Sequence, residues 1–532
     1  VASGAQTFTD VTLDAGDSLT VTSKDGTSVY APAGTVTGTT NATSDNTNKT
    51  FAATGDTLDT GAKVYLNGGE LVLTGTTTDA VVKADDAANN KTTSGTITLN
   101  SVASAGKGTE VSYSAIEGGT FSKLDLNLNV FNAATGGTAG NVSIGNVAND
   151  LKIKEGTLKT GTIEGSSTAA NKVSGTATIT GKNLEFGVAT GTVGDNKEPS
   201  ATNPGSAYDF DNAADVKLDV TAAETVKFNK GTITNAGTMT VTGESGVFVG
   251  NQDLTVGKQV TIANTGDLIF TDTTKVDFNA DYTATAGHLV IKSAANTIYG
   301  NITADSLKFG AANTDLAKET NQVVITGTTS NTIAYGSTVD VKALTVADKA
   351  TTVKGALKAA ATTIGANQTG GLTVEDASNE KLAVVTLGDI TVGSTKETEK
   401  DAGSFTLTNT AKNAVEASSL TVVKNTNAST FELDAGKFSV GKLTNQGKVT
   451  LTDGEEFTLT GEGANASGAE IALASSKEYA SLVVAEGASL QNQGDITGTD
   501  NTKGKIKVSG TLTNLPKIEA VGGNKAVDAG TI

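Results

Sequence analysis

Short segments in which apolar and polar residues alternate dominate the chain. Residues 6–13, 18–22 and 122–130 separate Phe, Val or Leu by Thr, Ser, Asn or Asp. A period of two is typical of strands that bury one face, and β-branched Thr, Val and Ile suit a pleated surface. The same pattern recurs at 98–100, 176–180, 217–220, 405–408 and 457–460. It predicts an all-β protein.

Helical patterning is weak by comparison. We expect only residues 376–385 and 466–480 to tolerate a helix. Gly, Asn and Asp separate the strand segments, and these residue types tolerate turn conformations. Two of the four prolines, Pro199 and Pro204, lie in the polar stretch 195–206. That stretch is predicted to be an exposed loop or a domain boundary.

A loose repeat places Asn and Gly two residues apart between apolar positions. It occurs at Asn235 and Gly237, Asn264 and Gly266, Asn445 and Gly447, Asn492 and Gly494, with a variant at Asn514 and Pro516. The irregular spacing suits a structural repeat of about 20 to 25 residues that carries loops or omits the motif at places. Asn and Gly both tolerate positive φ, so the motif predicts a strand, a corner and a strand. The asparagines are also expected to bond their own backbone or to stack as a ladder.

At these motifs the chain resembles the β-solenoid passengers of bacterial autotransporters and of filamentous-haemagglutinin-type exoproteins. The resemblance implies a coil of stacked parallel strands on a surface-exposed protein. The composition is also similar to that of bacterial surface-layer (S-layer) proteins, which are acidic, rich in lysine, Thr and Ala, and poor in Met and Cys.

The fold is therefore predicted to be an elongated β-solenoid resembling a parallel β-helix, with tandem β-sandwich modules as the alternative. We predict a β-rich region with an edge for assembly at 1–194, the loop or boundary at 195–206, and the β-solenoid region at 207–532. The assembly edges are expected at residues 7–21 and 506–532, because exposed strand edges invite pairing with another chain.

Composition narrows the function. All 39 basic residues are lysines, there is no cysteine or tryptophan, and the formal net charge is −18. Nucleic acids and anionic membranes need clustered cations, so neither is an expected partner. No apolar run is long enough for a transmembrane segment. Small residues follow Val1, as they do in chains from which a signal peptide has been removed, so we expect secretion.

Candidate chemistry is sparse. His288 is the only histidine, and we interpret it as a surface or strand-end residue because no nucleophile motif accompanies it. Alternating oxygen ligands that suit calcium occur at Asp209, Asp211 and Asp215 and again at Asp277, Asn279 and Asp281. We interpret both as the wet face of a strand. No catalytic, cofactor-binding or metal residue is predicted, and the chain is not expected to be an enzyme.

The predicted function is that of a secreted structural protein that assembles with copies of itself into a bacterial surface layer or an extracellular filament. The alternative is an adhesin passenger that mediates cell attachment. A cell-envelope glycan or a host surface is a further expected partner. Calcium remains open as a cofactor.

Overall fold

The computed structural model shows an all-β protein and confirms that part of the prediction. It describes residues 5–24, 27–40, 48–51, 55–75, 81–83, 94–104, 107–108, 111–113, 116–117, 119–163, 172–190, 205–250, 258–310, 321–347, 349–365, 370–375, 385–394, 402–408, 415–424, 428–452, 454–475, 478–498, 504–521 and 524–529. No helix occurs in these ranges. The described part of 466–480 contains the strand Glu470–Leu473, and 376–384 lies outside the described residues.

The chain divides into two compact units, Val1–Val290 and Ile291–Ile532. The strands that begin in the first unit are Thr7–Asp14, Ser18–Lys24, Thr27–Ala33, Thr37–Thr40, Asn48–Thr50, Thr57–Thr74, Val81–Lys83, Ser94–Asn100, Ala103–Ser104, Lys107–Gly108, Val111–Tyr113, Ile116–Glu117, Gly119–Phe121, Lys123–Val130, Ala133–Ala134, Val142–Asn146, Leu151–Ile153, Gly156–Thr162, Lys172–Val173, Thr176–Gly181, Leu184–Phe186, Tyr208–Asn212, Lys217–Ala222, Thr225–Phe228, Gly231–Asn235, Thr238–Gly243, Gly246–Val249, Val260–Asn264, Asp267–Asp272, Lys275–Phe278, Ala280–Thr283 and His288–Ile298.

The strands that begin in the second unit are Ile302–Phe309, Gln322–Ile333, Thr338–Val346, Lys349–Val353, Ala356–Ile364, Gly370–Glu375, Val385–Val392, Ser404–Thr408, Val415–Val422, Thr430–Ala435, Lys437–Asn445, Lys448–Leu451, Glu456–Asn465, Glu470–Leu473, Ala480–Val484, Ser489–Asn492, Asp495–Gly498, Gly504–Val508, Thr511–Asn514, Pro516–Val521 and Asn524–Ala529.

Strands that are one repeat apart in the sequence pair in parallel within a large mixed sheet. In the first unit, Gly231–Asn235 lies between Tyr208–Asn212 and Val260–Asn264, and each repeat there contributes three strands. In the second unit, Val415–Val422 lies between Val385–Val392 and Lys437–Asn445. Repeats there contribute two strands each as far as Glu456–Asn465, and three strands each after it. Equivalent positions of successive repeats therefore meet directly.

The first strands are paired differently. Thr7–Asp14 pairs antiparallel with Thr37–Thr40 on one side and parallel with Thr57–Thr74 on the other. Ser18–Lys24 likewise lies between an antiparallel and a parallel neighbour. Both edges of the two strands at 7–24 are thus occupied, which removes residues 7–21 as a free edge. An assembly edge in this region stays a prediction, but it would have to lie on other strands.

The expected loop at 195–206 falls almost wholly outside the described residues, which resume at Gly205. Strands on its two sides pair with each other, since Gly156–Thr162 aligns in parallel with Tyr208–Asn212. Parallel pairing therefore continues across this position. The predicted division into 1–194 and 207–532 does not coincide with the two compact units.

The core consists of the inward residues of each strand. In Lys123–Val130, for example, every second side chain is buried and the others face solvent. Val, Leu and Ile make up most of the buried set, and phenylalanines stack between repeats. The rings of Phe186 and Phe228 lie 5.5 Å apart in a stacked arrangement. In the second unit, Phe405 and Phe431 meet edge to face at 5.3 Å. Layers of small aliphatic side chains with aromatic stacks thus fill the interior.

Candidate functional site

Two rows of asparagines, all but one of them buried, are the most regular polar feature of the described residues. In the first unit, Asn212 Nδ2 donates to Asn235 Oδ1 and Asn235 Nδ2 donates to Asn264 Oδ1, both at 2.7 Å. The row begins at Thr160, whose hydroxyl donates to Asn212 Oδ1 at 2.7 Å. All three amides are buried. The ladder predicted from the sequence is therefore present.

The second unit contains a similar row, made of Asn445, Asn465, Asn492 and Asn514. Their side-chain amides are linked by hydrogen bonds of 2.8, 2.7 and 2.8 Å. Asn465 lies between Asn445 and Asn492, which both carry the sequence motif. It occupies the repeat in which the motif is missing. Neither Asn212 nor Asn465 has a glycine two residues later, so the sequence motif includes neither of them.

The glycines of the motif are needed for a different reason from the one predicted. Among the described residues, Asn321 and Asp215 are the only non-glycine positions with positive φ, and none of the motif glycines adopts it. A Cβ on Gly266 would instead lie 1.9 Å from the Gly237 carbonyl oxygen, and one on Gly494 would lie 2.3 Å from that of Ala469. The expected positive-φ corner is therefore wrong. Glycine is required because successive repeats approach closely there.

His288 lies beside the asparagine row of the first unit. It is the first residue of the strand His288–Ile298, and its Nδ1 lies 2.8 Å from Asp267 Oδ1. Its backbone carbonyl accepts a hydrogen bond from Asn264 Nδ2 at 2.9 Å. A shallow cleft of about 330 Å³ contains this pair together with Asp215 and Lys217. The contact between His288 and Asp267 holds the first residue of this strand in place. This agrees with the interpretation of the histidine as a strand-end residue.

A second and larger cleft, of about 610 Å³, lies on the outer face of the first unit. Outward residues of successive repeats line it, and they bond to one another across the strands. Lys152 Nζ donates to Glu185 Oε1 at 2.9 Å. Asn183 Nδ2 donates to Asp150 Oδ1 at 2.8 Å and to Glu224 Oε2 at 2.9 Å. Acidic, amide and lysine side chains thus form a polar surface of mixed charge that is held by hydrogen bonds between strands.

The same contacts shift the ionisation of one acid at the rim of this cleft. The hydrogen bond from Asn183 and a second one from Lys182 hold the pKa of the Glu224 carboxyl below its usual range. The ammonium of Lys182 lies 3.3 Å from Glu224 Oε1. Neighbours in the preceding repeat therefore favour the charged form of this carboxylate.

The calcium candidates are engaged in other interactions. Asp209 Oδ1 accepts a hydrogen bond from the Thr232 backbone at 2.7 Å, and Asp211 is exposed on the same strand. Lysine ammonium groups lie within 3.0 Å of the other three carboxylates. The pairs are Lys172 with Asp215, Lys275 with Asp277, and Lys258 with Asp281.

Asn279 is buried between Asp277 and Asp281. Within the described ranges, no group of three or more His, Cys, Asp or Glu side chains is placed to hold a metal ion. Of the six side chains that the sequence suggested as ligands, Asp209 is directed towards a backbone amide, and Asp215, Asp277 and Asp281 are directed towards lysines. The donor set does not fit calcium at either position.

The outer face also carries rows of one residue type. Thr345, Thr363, Thr391, Thr421 and Thr444 stand at equivalent positions of five successive repeats in the second unit. In the first unit, Thr180, Thr221, Thr242 and Thr271 are aligned in the same way. All nine side chains are half-buried. They give each unit an uncharged stripe of hydroxyl and methyl groups that repeats from strand to strand.

Comparison with known proteins adds no relative to this picture. No protein-family model, no curated protein and no solved structure matches the chain. In the described part of the chain, no helix has the length and apolar character that crossing a membrane requires.

Proposed function

We propose that the chain is a secreted structural protein, coiled as a β-solenoid, whose copies assemble into a bacterial surface layer or an extracellular filament. The continuous parallel pairing of strands one repeat apart supports a solenoid over tandem β-sandwiches, because sandwich modules are built from antiparallel sheets. The motif resemblance and the composition support the cell-surface setting.

The threonine rows are the observation that carries the assembly proposal. A repeat that returns the same residue to the same place presents the same surface at each step of about 4.8 Å. A neighbouring copy that packs against one repeat therefore finds an equivalent surface at the next, so weak contacts add along the row. The row from Thr345 to Thr444 contains no charged side chain over five repeats. An interface along this row therefore buries no ion, which would be unfavourable.

Electron microscopy of the purified protein tests the proposal. We expect ordered sheets or filaments from the unmodified chain and their loss in the variant Thr391→Lys with Thr421→Lys, because two charges would enter the row. The matched control, Thr386→Lys with Ser439→Lys, adds the same charge outside the row on two strands of the same series, Val385–Val392 and Lys437–Asn445, and should still assemble. Assembly that is equally sensitive to both variants would reject the row as the contact. Monodisperse particles from the unmodified chain at all concentrations would reject the function.

An adhesin is the second candidate, and the cleft beside Lys152 and Glu185 favours it. Its carboxylates, amides and ammonium groups suit an extended ligand rich in hydroxyl groups, such as a glycan. Attachment of dispersed protein to a cell surface, abolished by Lys152→Ala without loss of strand content, would support the adhesin. The proposal includes no enzymatic activity, and release of products from glycans would contradict it.

A further inference from the structure

The apolar side chains of these strands specify the register of strand pairing only weakly. In the native alignment Ile233 faces Ile262 and Gly231 faces Val260. A shift of Val260–Asn264 by two residues would keep every apolar side chain on the buried face and would set Ile233 against Val260. Registers that differ by two residues bury similar side chains, so the alternation alone specifies the pairing weakly.

The asparagine rows remove this ambiguity. After the same shift, Asn235 would face Ile262, and its buried amide would lose the 2.7 Å bond to Asn264 Oδ1. Asn235 Nδ2 also donates to the backbone oxygens of Gly237 and Asp267, at 3.1 and 3.0 Å. An unpaired buried amide carries a desolvation cost that no apolar pair compensates.

The second unit repeats the arrangement with different strands. Asn465 Nδ2 donates to Asn492 Oδ1 and to the backbone oxygen of Asp495. A shift by two residues would place Asn445 against Gly463 instead of Asn465. The same residue type thus marks the same position, the last residue of its strand, in both units.

We propose that the two asparagine rows are a register device: they decide which strand positions meet between successive repeats, and they are not what holds the strands together. A row of leucines at these positions would keep the strands together and would tolerate shifted pairings. Buried polar groups are known to fix register in other folds at some cost in stability.

Disulfide trapping measures the register directly, and the chain has no cysteine of its own. Thr234 lies opposite Ala263, and both side chains are exposed. The pair Thr234→Cys with Ala263→Cys therefore reports the native register, since facing Cα atoms about 4.8 Å apart suit a disulfide. The pair Thr234→Cys with Thr261→Cys reports the shifted register, because its native Cα separation of about 8 Å is too long to bridge.

Each pair is placed in the unmodified chain and in a chain with leucine at positions 212, 235 and 264. We expect only the native pair to cross-link in the unmodified chain. In the leucine chain, the shifted pair should gain at least about tenfold in cross-linked fraction, with strand content by circular dichroism unchanged. Cross-linking of the native pair alone in a folded leucine chain would overturn the proposal, because corner glycines or loops would then suffice to set the register.

The second unit gives an independent check that does not depend on the folding of the first. There, leucine replaces Asn445, Asn465 and Asn492, with Thr444→Cys and Ala464→Cys as the native pair and Thr444→Cys with Glu462→Cys as the shifted one. Loss of strand content in both leucine chains would also overturn the proposal, since the rows would then be essential for holding the strands together.

Discussion

At the residue scale, the two asparagine rows differ in how they begin. Asn212 Oδ1 accepts a hydrogen bond from the Thr160 hydroxyl. Val422 occupies the equivalent place before Asn445, and Asn445 Oδ1 is buried with no hydrogen-bond partner among the residues that the structure describes. A buried acceptor without a donor costs about 1–3 kcal/mol. The second row therefore begins with an unsatisfied acceptor, to which a single added hydroxyl group can donate.

We expect Val422→Thr to raise the free energy of unfolding by about 1 kcal/mol, because threonine has the shape of valine and its hydroxyl can donate to Asn445 Oδ1. The urea midpoint at an unchanged m-value measures the gain. The control is Val392→Thr one repeat earlier, where the new hydroxyl faces Ile364 and Val422. That variant should be less stable than the unmodified chain. Destabilisation by Val422→Thr would show that the acceptor is satisfied in another way.

The sequence predicts these residues only in part. An Asn with a Gly two positions later, between apolar residues, was enough to predict the ladder at Asn235, Asn264, Asn445 and Asn492. The role of the glycines was not predictable, because the contact of Gly266 with the Gly237 carbonyl arises only when two repeats stack. His288 was placed correctly at a strand end, yet its partner Asp267 lies 21 residues away in the chain, and nothing in the sequence marks the two as neighbours.

At the scale of elements, alternation predicts strands but not the direction of their pairing. Thr7–Asp14 has the same pattern as later strands, yet it has one antiparallel neighbour. A strand buried on one face looks alike in either direction, since the period is two in both. Changes in the number of strands per repeat, between three and two, are hidden as well, because the alternation within each strand stays the same. Contacts between side chains on neighbouring strands identify paired strands more directly, and Glu470 makes such contacts with Thr497 and Lys448.

Glu470 makes one strand sensitive to acid. Burial alone would raise the pKa of this carboxyl, but hydrogen bonds from Thr497 and Lys448 outweigh it and lower the pKa below the ordinary value of 4.5. The bonds join Glu470–Leu473 to the strands on both sides, with Thr497 at 2.8 Å and Lys448 at 3.1 Å. A carboxyl whose pKa is lowered by folding stabilises the native state above its unfolded pKa and loses that contribution as the pH falls through its folded pKa.

We therefore expect the unfolding free energy to fall as the pH drops from about 5 to 3, and Glu470→Gln to make this fall shallower. The pair is more than a third exposed, so solvent screening limits its contribution to about 0.5 kcal/mol. Urea titrations at several pH values measure the slope. A double-mutant cycle with Lys448→Gln separates the ion pair from the bond to Thr497. An unchanged slope in Glu470→Gln would contradict the assigned shift.

At the scale of the whole molecule, stacked repeats predict local rather than global responses to damage. Each strand of a series pairs mainly with its neighbours one repeat away, so stability is expected to be a sum of repeat and nearest-neighbour terms. Gly266→Ala is a suitable perturbation, because its Cβ would meet the Gly237 carbonyl oxygen at 1.9 Å. Overpacking of this kind costs about 3 kcal/mol. The cost should remain within the strands that surround it.

Hydrogen exchange followed by mass spectrometry tests this expectation. In Gly266→Ala, amides of Gly231–Asn235 and Asp267–Asp272 should exchange at least about tenfold faster, because their strands flank the clash, while those of Lys437–Asn445 should change less than about twofold. Gly487→Ala is the control in the second unit. Its φ of 79° strains an alanine although no atom of the described residues lies within 4 Å of the new Cβ, so its weaker effect should appear there and spare Gly231–Asn235. A uniform loss of protection in either variant would mean that the chain unfolds as one cooperative body, and the stacked-repeat interpretation would fail.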